Sequence, residues 1–388
     1  MNFDQYIDRN EYPSMKWRKE AMADLFGNPD ALPFWVADMD MAAPPAVIAS
    51  LQKRVAHGAF GYEYKTESYT KAITNWFQSR HDWTIDPATI EPCPGVLAAV
   101  TILMSQHSEE KDGIIVQPPV FFEFKMVIRK NGRRMVKNPL KFVNGRYEMD
   151  FDDLEIKAAN PRNKILILCN PHNPVGRVWT REELLRVDEI CRQHDVRVIS
   201  DEIHGDIVYP PHKYVPFASL SEAAANNSFI CLSPAKTFNI AGMVDGMVVI
   251  ANEEARRQYD GFADRYQINR TNVLATVAIE AAYQKGGPWL DNLLIYLQQN
   301  ISFIDTYLRE HTPQVKLVQP EGTYLVWLDF TALEMDAKAL ATMLGQEAQL
   351  ALNAGYWFGR EGAGFARMNI AVPRAMLEDA MGRLKQVF

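Results

Sequence analysis

Three apolar runs of this chain end on residues that can do chemistry. Lys236 follows Ser228-Phe-Ile-Cys-Leu232 through Ser233-Pro-Ala-Lys236, Asp201 ends Val196-Arg-Val-Ile-Ser-Asp201, and Asn173 follows Lys164-Ile-Leu-Ile-Leu-Cys-Asn170. A lysine leaving a buried strand sits in a dry, concave place, where its ammonium is costly and its neutral amine becomes a nucleophile and a base. A buried carboxylate such as Asp201 can keep a proton on a ring nitrogen, and the Asn173 amide can donate to a ring oxygen. Gly95, Val96 and Leu97 open the apolar stretch Ala98-Ala-Val-Thr-Ile-Leu-Met104, so their backbone N–H groups form a helix N-terminus suited to a phosphate, with the Ser233 hydroxyl beside it. Ser-x-x-Lys alone also occurs in serine acylases and by chance. Together, a Schiff-base lysine, a pyridinium partner, an oxygen partner and a phosphate anchor are what pyridoxal 5'-phosphate requires.

The elements that must position these residues are legible around them. Short β-rich runs at Ile90–Cys93, Gly113–Gln117, Arg134–Asn138, Lys164–Asn170, Arg197–Asp201, Phe229–Ser233 and Met247–Ala251 alternate with helical stretches. That alternation predicts an α/β fold with a seven-stranded, mostly parallel sheet, whose ligands bind beyond the carboxyl ends of the strands. Residues 288–308 carry apolar side chains at three- and four-residue spacing, with Pro288 in the first turn, and predict one long connecting helix. A hairpin-like stretch (315–328), a helix from about Asp336, further strands near 364–371 and a last helix over 374–388 follow. The expected organisation is a large domain at 46–287 and a smaller α/β domain, made of 1–45 and 288–388.

At 388 residues, 47% hydrophobic and 23% charged, the chain can bury a large core. Its formal net charge of -7 offers no basic field to nucleic acid or anionic lipid. The first residues lack the charged and apolar regions of a secretory signal, and no apolar run is long enough to span a bilayer. Cys93, Cys169, Cys191 and Cys231 form no Cys-x-x-Cys pair and read as small buried hydrophobes in a reducing compartment, by default the cytoplasm. His172, Asp201, Glu202, His204 and Asp206 are scattered by strand alternation, so no metal site is expected.

The motifs together resemble the fold type I (aspartate aminotransferase-like) pyridoxal phosphate enzymes, and within them the cystathionine β-lyase group of MalY/PatB-type carbon–sulfur lyases. The resemblance rests on Phe34-Trp-Val-Ala-Asp-Met-Asp40, His57-Gly-Ala-Phe-Gly-Tyr62, Cys169-Asn-Pro-His-Asn-Pro-Val-Gly-Arg177, Ser200-Asp-Glu-Ile-His204, Ser233-Pro-Ala-Lys-Thr-Phe-Asn-Ile-Ala-Gly242, Trp289-Leu290 and Phe365-Ala-Arg-Met-Asn-Ile-Ala371. It implies that Lys236 and Asp201 are the catalytic pair, that Arg367 grips a substrate carboxylate, and that Tyr62 crosses a homodimer interface to the phosphate. Trp35 and Ala37 match an N-terminal segment that closes near the substrate, although a tryptophan there serves equally well as core. His204 stands where many relatives have tyrosine, as a donor or as packing beside the ring. Phe121 replaces a ring-stacking tyrosine and keeps the stacking without the hydroxyl. Val244 stands where many aminotransferases of this fold carry an arginine, eight residues after the lysine.

The expected activity is β-elimination from L-cystathionine or related L-cysteine S-conjugates to a thiol, pyruvate and ammonia. An aminotransferase is the alternative, and binding of a regulatory protein partner on the same fold is an alternative of another class.

Overall fold

The computed structural model describes residues 1–270 and 272–388. Seven strands form the larger sheet: β1 (Ile90–Cys93), β2 (Gly113–Val116), β3 (Arg134–Lys137), β4 (Asn163–Cys169), β5 (Arg197–Asp201), β6 (Ser228–Leu232) and β7 (Gly246–Val249). All seven expected runs are therefore strands. Their spatial order is β1-β7-β6-β5-β4-β2-β3, with β7 antiparallel to both of its neighbours and the remaining pairs parallel.

Strand alternation sorts the side chains of this sheet into two cores. Ile165, Ile167, Cys169, Ile199, Phe229, Cys231 and Val248 point to one face, and Leu166, Leu168, Val198, Ile230, Leu232 and Val249 to the other. Helix α1 (Val96–Gln106) covers the first face with Ala99, Val100 and Leu103. The second is covered by helices including α3 (Arg181–Gln193), through Leu184, Val187, Ile190 and Cys191, with helix α2 (Phe122–Lys130) between them in sequence. Because both faces are covered, the central strands read as continuous apolar runs. Each fully buried leucine or isoleucine contributes about 1.5–3 kcal/mol. A capping box starts α3, with Thr180 accepting from the Glu183 N–H and Glu183 accepting from the Thr180 N–H.

Helix α4 (Gly287–His311) buries Trp289, Leu290, Leu293, Leu297, Ile304 and Leu308 as one stripe. It begins one residue before the expected span and ends three after it. Beyond it, β8 (Lys316–Val318), β9 (Leu325–Asp329), β10 (Asn353–Ala354) and β11 (Phe365–Asn369) form an antiparallel sheet in the order β8-β9-β11-β10. Asp336 caps a helix over Ala337–Thr342, which widens into a π turn at Met343–Glu347. Helix α5 (Arg374–Val387) closes the chain.

The N-terminal segment is tied to this second sheet. Leu32 and Pro33 pair in parallel with Leu350 and Ala351, the Asn369 N–H donates to the Phe34 carbonyl at 2.9 Å, and the Asn369 side chain donates to the Val36 and Asp38 carbonyls at 2.7 and 2.6 Å. From the other side, Asn239 donates to the carbonyls of Met39 and Met41 at 3.0 and 2.7 Å. Residues 34–41 thus lie clamped between β11 and the loop that carries Lys236. Among the described residues, no helix is long and apolar enough to cross a membrane.

Candidate active site

The carboxyl ends of β4, β5 and β6, the N-terminus of α1 and the clamped segment around Ala37 enclose a cavity of about 330 Å³. Lys236, Asp201, Asn173, Ser233, Gly95, Val96, Leu97, Phe121, His204 and Ala37 all line it. Strand order explains the convergence: β4, β5 and β6 are adjacent and parallel, so residues distant in sequence arrive at one edge.

Among the described residues, the Lys236 side chain makes a single hydrogen bond, its Nζ donating to the Ala37 carbonyl at 2.7 Å. Burial lowers its pKa below the usual lysine range and the Arg367 charge adds to that, while Asp38, Asp201 and Glu123 oppose it. The amine is therefore biased towards the neutral form that a nucleophile or base needs. The same Ala37 carbonyl accepts from the Tyr324 hydroxyl at 2.9 Å, so the acceptor that orients Lys236 is itself fixed.

Asp201 is 5% exposed, and the only hydrogen bond of its carboxylate among the described residues comes from the Ile203 N–H at 3.2 Å to Oδ1. Burial pushes its carboxyl up to about 6, against the Ile203 N–H and the Lys236 charge. A buried carboxylate with a free oxygen facing a cavity calls for a cationic partner. His204 is also buried, with Nδ1 lacking a hydrogen-bond partner among the described residues and its ring set edge-on to Tyr324 at 6.0 Å between centroids. Burial, with Lys236 and Arg367, pushes its pKa down to about 3, so its imidazole is neutral.

At the other end of the cavity Gly95 takes φ +93°, a conformation that favours glycine, and no side chain caps the helix behind it. The first N–H groups of α1 consequently have no helical partner and face the cavity as an anion cradle. Ser233 Oγ lies beside them, donating to the Asp245 carbonyl at 2.8 Å and accepting from the Ala235 N–H at 3.2 Å. The donor set fits pyridoxal 5'-phosphate on these observations: an N–H cradle for the phosphate, an unpaired buried carboxylate for a protonated ring nitrogen, and a buried amine between them. Phe121 supplies an aromatic face, packed edge-on against Phe124.

Arg367 lies on β11, 2% exposed, and is fixed by four hydrogen bonds. Nε and Nη2 donate to Asn353 Oδ1 at 3.2 and 2.7 Å, Nη1 to Asn173 Oδ1 at 3.0 Å, and Nη2 to the Trp35 carbonyl at 2.8 Å. Burial pushes the guanidinium down to about 9, which leaves it charged at neutral pH. With its Oδ1 occupied by Arg367, the Asn173 amide nitrogen is left for the cavity.

Three expected residues do not line the cavity: Arg367 meets it through its hydrogen bond to Asn173, and Trp35 and Tyr62 stand elsewhere. The Trp35 indole turns away, donating to the Lys16 carbonyl at 3.0 Å and packing on Phe26, so only its backbone carbonyl reaches the Arg367 cluster. Of the two readings for this tryptophan, the side chain takes the packing role. Tyr62 is 95% exposed and lies outside the cavity of its own chain, with the Arg270 guanidinium 5.7 Å from its ring centroid. Val244 sits on the cavity rim in a left-handed turn (φ +49°), an apolar and exposed residue at the place discussed for arginine.

Sequence reasoning missed Asn353, Tyr324, Asn239 and Glu123. Asn353 faces Arg367 directly across the β10–β11 pair, a register that nothing local in the sequence announces. Glu123 lines the cavity from the first turn of α2.

The family model for aminotransferase class I and II matches residues 32–384. The chain belongs to that family. It is 42% identical over 385 residues to the cystathionine beta-lyase PatB of Bacillus subtilis, covering 99% of each chain. Among solved structures it is similar to cystalysin of Treponema denticola, which contains a pyridoxal 5'-phosphate cofactor (TM-score 0.95, 34% identity, 100% of this chain and 98% of that one). It is also similar to the pyridoxal-phosphate-bound C-S lyase of Staphylococcus hominis (TM-score 0.92, 31% identity, 100% and 98%). The fold is that of the fold type I pyridoxal phosphate enzymes, and the cofactor is pyridoxal 5'-phosphate.

Proposed function

We propose that the protein is a carbon–sulfur β-lyase, cleaving L-cystathionine or a related L-cysteine S-conjugate to a thiol (homocysteine from cystathionine), pyruvate and ammonia. The observation that carries this reading is the placement of Lys236: a buried amine with one backbone hydrogen bond, in a cavity shared with an unpaired Asp201 carboxylate. Passed from Lys236 to the substrate amine, which frees the Lys236 amine, pyridoxal 5'-phosphate would supply an electron sink for the pair left when a Cα proton is removed. Arg367 orients the substrate through its carboxylate. Lys236 takes the Cα proton, for which its lowered pKa suits it. Asp201 would hold the ring-nitrogen proton, and the first turn of α1 with Ser233 would hold the phosphate. The Asn173 amide would donate to the ring oxygen, with Phe121 and the neutral His204 imidazole lining the place of the ring. The thiolate leaves from Cβ, and addition of water to the three-carbon remainder gives pyruvate and ammonia.

Similarity to the cystathionine beta-lyase PatB over nearly the full length supports this reading. Val244 supports it against transamination, since the rim carries no second cation at that place.

The exposure of Tyr62, with its neighbours Phe60 and Tyr64 also exposed, supports a homodimer in which each chain completes the phosphate site of the other. The proposed division is a large domain at 46–287 and a small domain at 1–45 with 288–388. Four buried thiols without disulfides support a cytoplasmic location.

Lys236→Ala tests the assignment. It is expected to lower pyruvate release by at least about a thousandfold, the scale of losing an essential catalytic group, and to abolish the visible absorbance of covalently held cofactor. Pyruvate release at the wild-type rate would refute it.

A further inference from the structure

Glu123 is the cavity residue that neither the cofactor nor the common part of the substrate uses. It lies two residues after Phe121 in the first turn of α2, half-buried, and lines the same cavity as Lys236, Asn173 and His204. Among the described residues its carboxylate has no hydrogen bond and no ion pair. The two nearby cations do not satisfy it: Lys236 donates to the Ala37 carbonyl, and Arg367 donates to Asn353, Asn173 and Trp35. Its neighbour Phe122 packs on Phe358 at 5.4 Å between ring centroids, and the Arg367 guanidinium lies 5.0 Å from that same ring, so the start of α2 sits on the Arg367 side of the cavity rather than at the phosphate end. The cavity's other carboxylates lie elsewhere. Asp201 ends β5, and Asp245 stands beside Ser233.

We infer that Glu123 recognises a positive charge on the sulfur substituent, so that the preferred substrates are L-cysteine S-conjugates with an ammonium or other cation at their distal end. The inference rests on the β-lyase reading above. Every L-cysteine conjugate brings an α-carboxylate for Arg367 and an α-amine for the cofactor. A carboxylate on the substrate side of the site therefore has only the distal substituent left to meet. An unpaired, half-buried carboxylate is unfavourable until a cation reaches it, and it repels anionic substituents. L-Cystathionine carries such an ammonium on its homocysteine half, with a carboxylate on the same carbon that has to point away from Glu123, whereas simple S-alkyl conjugates carry neither.

The test compares two nearly isosteric substrates, S-(2-aminoethyl)-L-cysteine and S-propyl-L-cysteine, with the cofactor-loaded wild type and Glu123→Gln. The wild type is expected to favour the aminoethyl substrate in kcat/KM by about tenfold or more, a preference that shrinks as salt is raised. In Glu123→Gln the ratio is expected to fall to within about twofold of one and to lose its salt dependence. A wild-type ratio near one, or a ratio that survives the substitution even if both rates fall, would overturn the inference. Failure of the wild type to release pyruvate from either substrate and from L-cystathionine would instead overturn the β-lyase reading itself.

Discussion

Replacing Arg367 with alanine removes the cation proposed to hold the substrate carboxylate. Four hydrogen bonds commit four of its five N–H groups to Asn353, Asn173 and the Trp35 carbonyl, leaving one Nη1 hydrogen for an incoming ligand. All three partners are neutral, so the full charge is available, and at 2% exposure water screens it little. A charged hydrogen bond of this kind contributes about 1.5–3 kcal/mol. Leaving the substrate carboxylate without a counter-charge in a buried site raises the loss towards 3–5 kcal/mol. Taking about 3–4 kcal/mol at 1.4 kcal/mol per tenfold, kcat/KM for L-cystathionine should fall by roughly 10²–10³. Arg367→Lys keeps the charge but cannot span the three acceptors, so its loss should be smaller, about tenfold. The assay is pyruvate release over a range of substrate concentration. Its control is the methyl ester of an S-alkyl-L-cysteine, which has no carboxylate charge to lose and should be slowed far less by the substitution. A kcat/KM within threefold of wild type for Arg367→Ala, or an equal loss on acid and ester, would refute the assignment.

Two further predictions concern Asp201 and Tyr62. The Asp201 carboxyl titrates near 6 in the folded chain against an ordinary 3.8, so folding binds its proton more tightly than unfolding does. Its ionised form therefore costs stability, absent below pH 4 and fully present above pH 6, of up to about 3 kcal/mol at 1.36 kcal/mol per unit. Asp201→Asn should raise the Tm of the cofactor-free protein at pH 8 but not at pH 4, while abolishing elimination; an unchanged Tm at pH 8 would contradict this. For Tyr62, Lys236→Ala and Tyr62→Ala proteins should each be inactive, but subunits exchanged at equal amounts should recover about a quarter of wild-type activity. Half of the dimers are then hybrids with one intact site in two. No recovery, despite hybrids resolved by mass, would remove Tyr62 from the partner's site.

The parts of this architecture that rest on local patterning were legible in the sequence. Short β-rich runs became seven strands of four to seven residues, and the stripe from Trp289 to Leu308 became α4. Lys236, Asp201 and Asn173 were legible because strand ends of an open parallel sheet meet at one edge whatever their spacing in sequence. The antiparallel setting of β7 was not, since a run of apolar residues carries no direction. Nor was the cluster around Arg367, whose partner Asn353 is chosen by strand register. The ion pair of the fully buried Lys16 with Asp40, at 2.7 Å, was equally hidden. A lysine in a polar N-terminal stretch reads as solvated until the segment it secures, residues 34–41, is seen folded against β11. The hairpin at Lys141–Val143 and Arg146–Glu148 also went unread, because its strands are short and mostly exposed.

The central claim is elimination without an amino-group acceptor, and one time course tests it most directly. Purified protein loaded with pyridoxal 5'-phosphate is given L-cystathionine with no keto acid, and pyruvate and free thiol are measured together. The account expects both to be released in equal amounts and to keep accumulating well beyond one per active site. No pyruvate under these conditions, with turnover appearing only when a keto acid is supplied, would contradict it and make the protein an aminotransferase.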